Sequence, residues 1–140
     1  MIVDASVWVA SFLPDEKHHQ ETALFLRRLV ESGIRVTLPT LALAEIGGAI
    51  ARRSGPDHPA PKIIAFIRAQ SWVEFAPIGE VLGHAAAETA IRQRLRGADA
   101  VYAALAAARR QPLITLDRQM LERAPDAVEC MTPTDWLRGN

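Results

Sequence analysis

With 140 residues, 49% of them hydrophobic and 23% charged, the chain has the composition of an ordinary globular domain, which excludes a disordered or fibrous class. A chain of this length buries about two thirds of its unfolded surface, so residues 1–140 are expected to form a single domain with a real core. Sixteen basic residues balance sixteen acidic ones, which excludes a general polyelectrolyte pull toward nucleic acid; any such partner must be held by local patches.

One cysteine, Cys130, cannot form an internal disulfide and is compatible with a reducing cytoplasm. The first apolar run has no basic stretch ahead of it and is broken at once by Asp4, unlike a signal peptide. The longest apolar stretch, residues 98–108, contains Asp99 and falls short of the roughly 20 residues that cross a bilayer. A soluble, cytoplasmic protein with no membrane partner is expected.

In chain order, the first element is a strand, Ile2-Val3, running into Asp4, followed by the helix "ASVWVASFL". "ETALFLRRLVESG" places Ala23, Leu26, Leu29 and Val30 on one helical face and ends at Gly33, a left-handed C-cap. A strand follows at "RVTLP". The helix in "PTLALAEIGGAIARRSGP" opens with Thr40 as N-cap, closes at Gly55-Pro56, and offers Leu43, Ile46, Gly47 and Ile50 to a core. Gly47 and Gly48 each cost about 1 kcal/mol against alanine in a helix interior, which predicts a close approach to that backbone. After the loop "PDHPAP" come a helix over 62–70, the strand "WVEFAPI", a helix over 81–95 and the alanine-rich helix "ADAVYAALAAARRQ". The strand "PLITLD" then leads into "RQMLERA". The strands are apolar on both faces and alternate with helices, which predicts an α/β sandwich of three layers around a mostly parallel sheet.

In such sheets the ligand site lies beyond the carboxyl ends of the strands, where Asp4 and Asp117 fall. Each also fits an N-cap of the helix that follows it. Asp99 opens a helix whose neighbours Val101, Tyr102 and Leu105 are apolar, so it lies at that helix's positive end. Glu45 sits amid "LALAEIGGAI" with no lysine or arginine one turn away, and a charge in an apolar helix needs a partner. None of the four acids has an obvious basic neighbour in sequence. Two carboxylates about 4 Å apart repel by roughly 4 kcal/mol at an effective dielectric of 20, so a cluster of four requires a cation. Carboxylates without histidine or thiolate partners suit magnesium rather than zinc.

"IVDASVWV", "LALAEI", "RGADAVYAALA" and "LITLDRQM", in this order and with the closing "TPTDWL", resemble the PIN-domain ribonucleases, and most closely the VapC-type toxins of toxin–antitoxin pairs. The resemblance covers the whole chain. It implies a parallel sheet of four or five strands between helices, and a quartet of Asp4, Glu45, Asp99 and Asp117 that binds Mg2+ or Mn2+ and cuts RNA. Asp4, Asp99 and Asp117 would be inner ligands, and Glu45 a ligand or water-orienting base. Ser6 and Thr115 fall where the family often places hydroxyls beside the acids. A cognate antitoxin and a homodimer are implied as well, with Trp8, Phe12 and Phe25 either lining an apolar antitoxin groove or belonging to the core.

Arg92, Arg94 and Arg96 lead into "GAD" and could hold RNA phosphates near Asp99; a solvated face is the alternative. Arg52-Arg53 and Arg109-Arg110 complement the C-terminal dipoles of their helices. Three other readings compete. A phosphoacceptor receiver would need a lysine at a later strand tip, where neither Lys17 nor Lys62 lies. A haloacid-type phosphatase would want an aspartate where Ser6 stands. A non-catalytic PIN-like module would use the acids only to hold a partner or a structural cation.

Overall fold

Short strands of fully buried residues make the centre of the molecule, which a computed structural model describes over residues 1–139. The elements are β1 (Ile2–Val3), α1 (Ala5–Phe12), α2 (His19–Glu31), β2 (Val36–Pro39), α3 (Leu41–Ser54), α4 (Ala60–Arg68), β3 (Val73–Ala76), α5 (Glu80–Gln93), α6 (Gly97–Arg109), β4 (Leu113–Ile114), α7 (Arg118–Arg123), β5 (Cys130–Met131) and α8 (Pro133–Gly139). All neighbouring strands pair in parallel, in the order β3-β2-β1-β4-β5, with Val3 opposite Ile114 and Ile2 opposite Thr37. The chain runs outward from β1 through β2 to β3, then returns to place β4 against the other side of β1. The switch point between β1 and β4 leaves a crevice at their carboxyl ends.

Helices cover both faces because Ile2, Val3, Val36, Leu38, Leu113 and Ile114 are wholly buried, as continuous apolar strands require. Trp8 of α1 stacks on Trp72 with ring centroids 5.6 Å apart, and Phe25 of α2 meets Trp136 of α8 edge to face at 5.2 Å. Among the described residues no helix is long and apolar enough to cross a membrane.

Several sequence expectations are corrected in detail. The core face of α2 is Thr22, Phe25 and Leu29, while Val30 is 49% exposed. Thr22 can be buried because its hydroxyl donates to the carbonyl oxygens of His18 and His19 at 2.8 and 3.0 Å, which satisfies its polarity within the helix. Thr40 already has helical backbone and makes no side-chain cap bond. On α3 the buried residues are Ala42, Ile46 and Ile50, with Leu43 only partly covered. A Cβ on Gly47 would meet Ile64 of α4 at 3.5 Å, an ordinary contact; at Gly48 the close neighbour is the Arg52 side chain, at 3.1 Å. The helix over 81–95 ends at Gln93, where left-handed Arg94 turns the chain so that Leu95 enters the core. The last strand, β5, has only two residues and no readable pattern.

Phe25 is wholly buried, so it belongs to the core and lines no groove. Phe25→Ala should cost about 3–5 kcal/mol of stability in chemical denaturation. A loss below about 1 kcal/mol would mean that the site collapses around the smaller residue.

Candidate functional site

The four acids arrive from four different elements. Asp4 follows β1, Glu45 lies in the second turn of α3, Asp99 in the first turn of α6, and Asp117 precedes α7. Parallel pairing of β1 with β4 sets the first and last side by side: the Asp4 amide donates to the Ile114 carbonyl at 2.9 Å. All four line one cleft of 260 Å³, with Ser6, Arg96 and Ala98 in its walls.

The N-cap explanation holds for only one strand tip. Asp117 Oδ1 accepts the amides of Gln119 and Met120 at 2.8 and 3.2 Å, so Asp117 caps α7. Asp4 stands before α1 without a cap bond. Its Oδ2 instead accepts the hydroxyls of Ser6 at 2.5 Å and Thr115 at 2.8 Å. Those hydroxyls are fixed in turn, since Ser6 Oγ accepts the Leu116 amide at 3.2 Å and Thr115 Oγ1 the Asp117 amide at 3.0 Å. Asp4 is thus aimed by a network spanning β1, α1 and β4, and it is 6% exposed.

Burial lifts the Asp4 carboxyl above the usual carboxylate range; the two hydroxyl donors oppose the rise and the Asp99 charge adds to it. Glu45 is also raised, first by burial, then by the charges of Asp4 and Asp99, while a hydrogen bond from Tyr102 opposes it. That bond, Tyr102 Oη to Glu45 Oε2 at 2.7 Å, supplies the partner that an isolated charge on α3 requires. Tyr102 was legible only as a core residue, although it lies one turn after Asp99 on the same helix.

Arg96 corrects the expectation that the acids lack basic neighbours. It is the extended residue before α6, and its Nε donates to Asp99 Oδ2 at 2.7 Å while Nη2 donates to Asp117 Oδ2 at 2.6 Å. The spacing of three residues to Asp99 was the available signal. Its two neighbours in the expected arginine stretch do not line the cleft. Arg94 gives its carbonyl to Arg123 at 3.0 Å, Arg92 lies 3.6 Å from Glu88 on the exposed side of α5, and only Arg96 lines the cleft.

The donor set suits a hard divalent cation: four carboxylates, two of them disfavoured as anions by their surroundings, with no histidine or thiol among the cleft's walls. The arrangement is not that of a finished metal site. Among the described residues no three acidic, histidine or cysteine side chains stand grouped around one point, and the Arg96 guanidinium already bridges Asp99 and Asp117.

The family model for the PIN domain matches residues 1–126. The chain belongs to the PIN domain family. No curated protein sequence matches it significantly. This PIN domain superimposes on VapC20, a sarcin-ricin loop cleaving toxin of Mycobacterium tuberculosis, with a TM-score of 0.74 and 23% identity over 91% of this chain and 97% of that one. It is similar to FitAcB from Neisseria gonorrhoeae (TM-score 0.69, 18% identity, 95% and 97% of the two chains). It is also similar to VapBC2 from Rickettsia felis, solved with a DNA fragment from their promoter (TM-score 0.69, 12% identity, 94% and 96%). At these identities the likeness is one of fold.

Raised folded-state pKa values give a signed prediction. Stability from Asp4 and Glu45 is full below the unfolded carboxylate values of about 4, and is lost as pH rises through their higher folded values. Asp4→Asn keeps the hydroxyl bonds but carries no charge. Without divalent metal its melting temperature should exceed that of the wild type by a margin that widens as pH rises from the acid range to neutrality. Excess Mg2+ should reverse the order. A margin independent of pH would remove the buried charge as its cause.

Proposed function

We propose that this PIN domain is a metal-dependent endoribonuclease that cuts RNA phosphodiester bonds with a metal-activated water, acting in the cytoplasm as the toxin of a toxin–antitoxin pair. Residues 1–140 act as one domain. The observation that carries the reading is the convergence of Asp4, Glu45, Asp99 and Asp117, from four elements, on one cleft at the carboxyl ends of β1 and β4.

Asp4, Asp99 and Asp117 would hold the ion, Mg2+ or Mn2+, with Glu45 as a further ligand or as the base that orients water. Bound there, the ion supplies an activated water and offsets the charge that builds on the scissile phosphate. The protein's part is positioning. Ser6 and Thr115 keep one oxygen of Asp4 fixed, and Tyr102 keeps one oxygen of Glu45 fixed. Arg96, two thirds exposed along its side chain, can swing from Asp99 and Asp117 to face the substrate phosphate.

A cognate antitoxin fits a second surface. Phe12 of α1, Leu26 and Val30 of α2, and Phe66 and Trp72 line an apolar groove of 370 Å³ over the buried Trp8, with Phe66 53% exposed. A partner's amphipathic helix suits such a groove. A homodimer is proposed from the family resemblance.

Purified protein should cleave RNA with Mg2+ and not with excess chelator, leaving 5′-phosphate and 3′-hydroxyl ends. Asp99→Asn and Asp4→Ala should each lower the rate by on the order of a hundredfold or more while remaining folded by circular dichroism. A folded variant that cuts at the wild-type rate removes that residue from the site. A wild type that binds Mg2+ but cuts no RNA favours the non-catalytic module.

A further inference from the structure

Beside the acid cleft lies a larger groove of 590 Å³, walled by α1, α3 and the segment before α2, and sharing Ala5, Ser6 and Glu45 with the cleft. Its far end carries two arginines in different states. Arg53 is tied across the groove to Glu16, whereas no ion pair among the described residues engages Arg52.

Arg52 is placed by the geometry of α3. Glu45, Gly48, Ala49 and Arg52 follow at intervals of three and four residues and share one face, with Arg52 about 10 Å along the axis from Glu45. Helical side chains lean toward the N-terminus, and Arg52 does so: its Nη1 comes within 3.1 Å of where a Gly48 Cβ would stand. The guanidinium therefore lies over a glycine, folded back toward the acids, and an alanine at position 48 would require it to shift by a few tenths of an ångström. Between the arginine and the acids the floor is small and apolar, made of Val9, Ala10, Ala44 and Ala49.

We propose that this groove is the track of a single-stranded RNA substrate, with Arg52 binding a backbone phosphate beyond the scissile one and the apolar floor receiving the base or ribose between them. The inference rests on the ribonuclease reading and adds to it a path for the strand and a residue that holds it. Continuity with the cleft favours RNA over a protein ligand, since a strand whose phosphate reaches the acids must continue along a neighbouring surface. A single strand is favoured because a small apolar floor complements bases and sugars that a duplex keeps stacked and paired.

The test compares the wild type with Arg52→Gln and Arg52→Glu on a single-stranded oligonucleotide long enough to span the groove and on one that ends before Arg52. Affinity is read by fluorescence anisotropy over a salt series in the Asp99→Asn background. Both substitutions should raise KM for the longer RNA by roughly five- to tenfold, with kcat nearly unchanged. Arg52→Gln should also lower the slope of log affinity against log salt by about 0.7, the share of one phosphate on a single strand. The shorter RNA should be cut equally by all three. Unaltered affinity for the longer RNA, with or without weakened binding of a partner protein, overturns the proposal, as do equal losses on both lengths. A wild type that cuts neither RNA overturns the ribonuclease reading and this inference together, whereas wild-type cleavage with unaffected variants overturns the groove alone.

Discussion

Holding four carboxylates in one cleft, two of them buried, is the constraint around which this molecule is built. A parallel sheet brings the ends of β1 and β4 together, and with them Asp4 and Asp117; α3 and α6 add Glu45 and Asp99 to the same cleft. Each acid is then managed separately. Two hydroxyls hold Asp4, the Tyr102 phenol holds Glu45, and Arg96 bridges Asp99 and Asp117. Arg96 is thus an internal counter-charge, one positive charge shared between two of the four carboxylates. The other two, Asp4 and Glu45, carry the raised pKa values, lifted first by burial and further by neighbouring carboxylates.

A site of this kind trades stability for chemistry. Leaving two ionised carboxylates in a partly dry cleft costs folding free energy that a hydrophobic or amide side chain would not. The surrounding core absorbs that cost through the fully buried strands and the aromatic packing of Trp8 on Trp72 and Phe25 on Trp136. The same fold leaves two further concavities, an apolar groove around Phe66 and a mixed one leading to Arg52, on opposite sides of α1. The two share no lining residue, and only the groove leading to Arg52 adjoins the acids.

Much of this was legible in the sequence because period and burial agree there. Runs such as Val36–Pro39 and Leu113–Ile114 are apolar on both faces, and that alone argues for parallel strands covered by helices. The acids stood out as charges in apolar surroundings. What stayed hidden depends on contacts between distant residues or on local satisfaction of polar groups. Tyr102 and Glu45 are 57 residues apart, so their bond leaves no trace in spacing. Thr22 passes for a surface residue until its bonds to the preceding turn make it fit for the core. Arg96 could have been paired with Asp99 from spacing, yet its second partner, Asp117, comes from another element. Cys130–Met131 is too short to carry any pattern of its own.

The most direct measurement is a crystal structure soaked in Mn2+ and recorded at an anomalous wavelength. Convergence on a shared cation predicts a strong anomalous peak ligated by Asp4, Asp99 and Asp117, with Glu45 at or near it and the Arg96 guanidinium displaced from between Asp99 and Asp117. Ordered Mn2+ bound elsewhere, with Arg96 still bridging the two aspartates and the cleft free of metal, would contradict it.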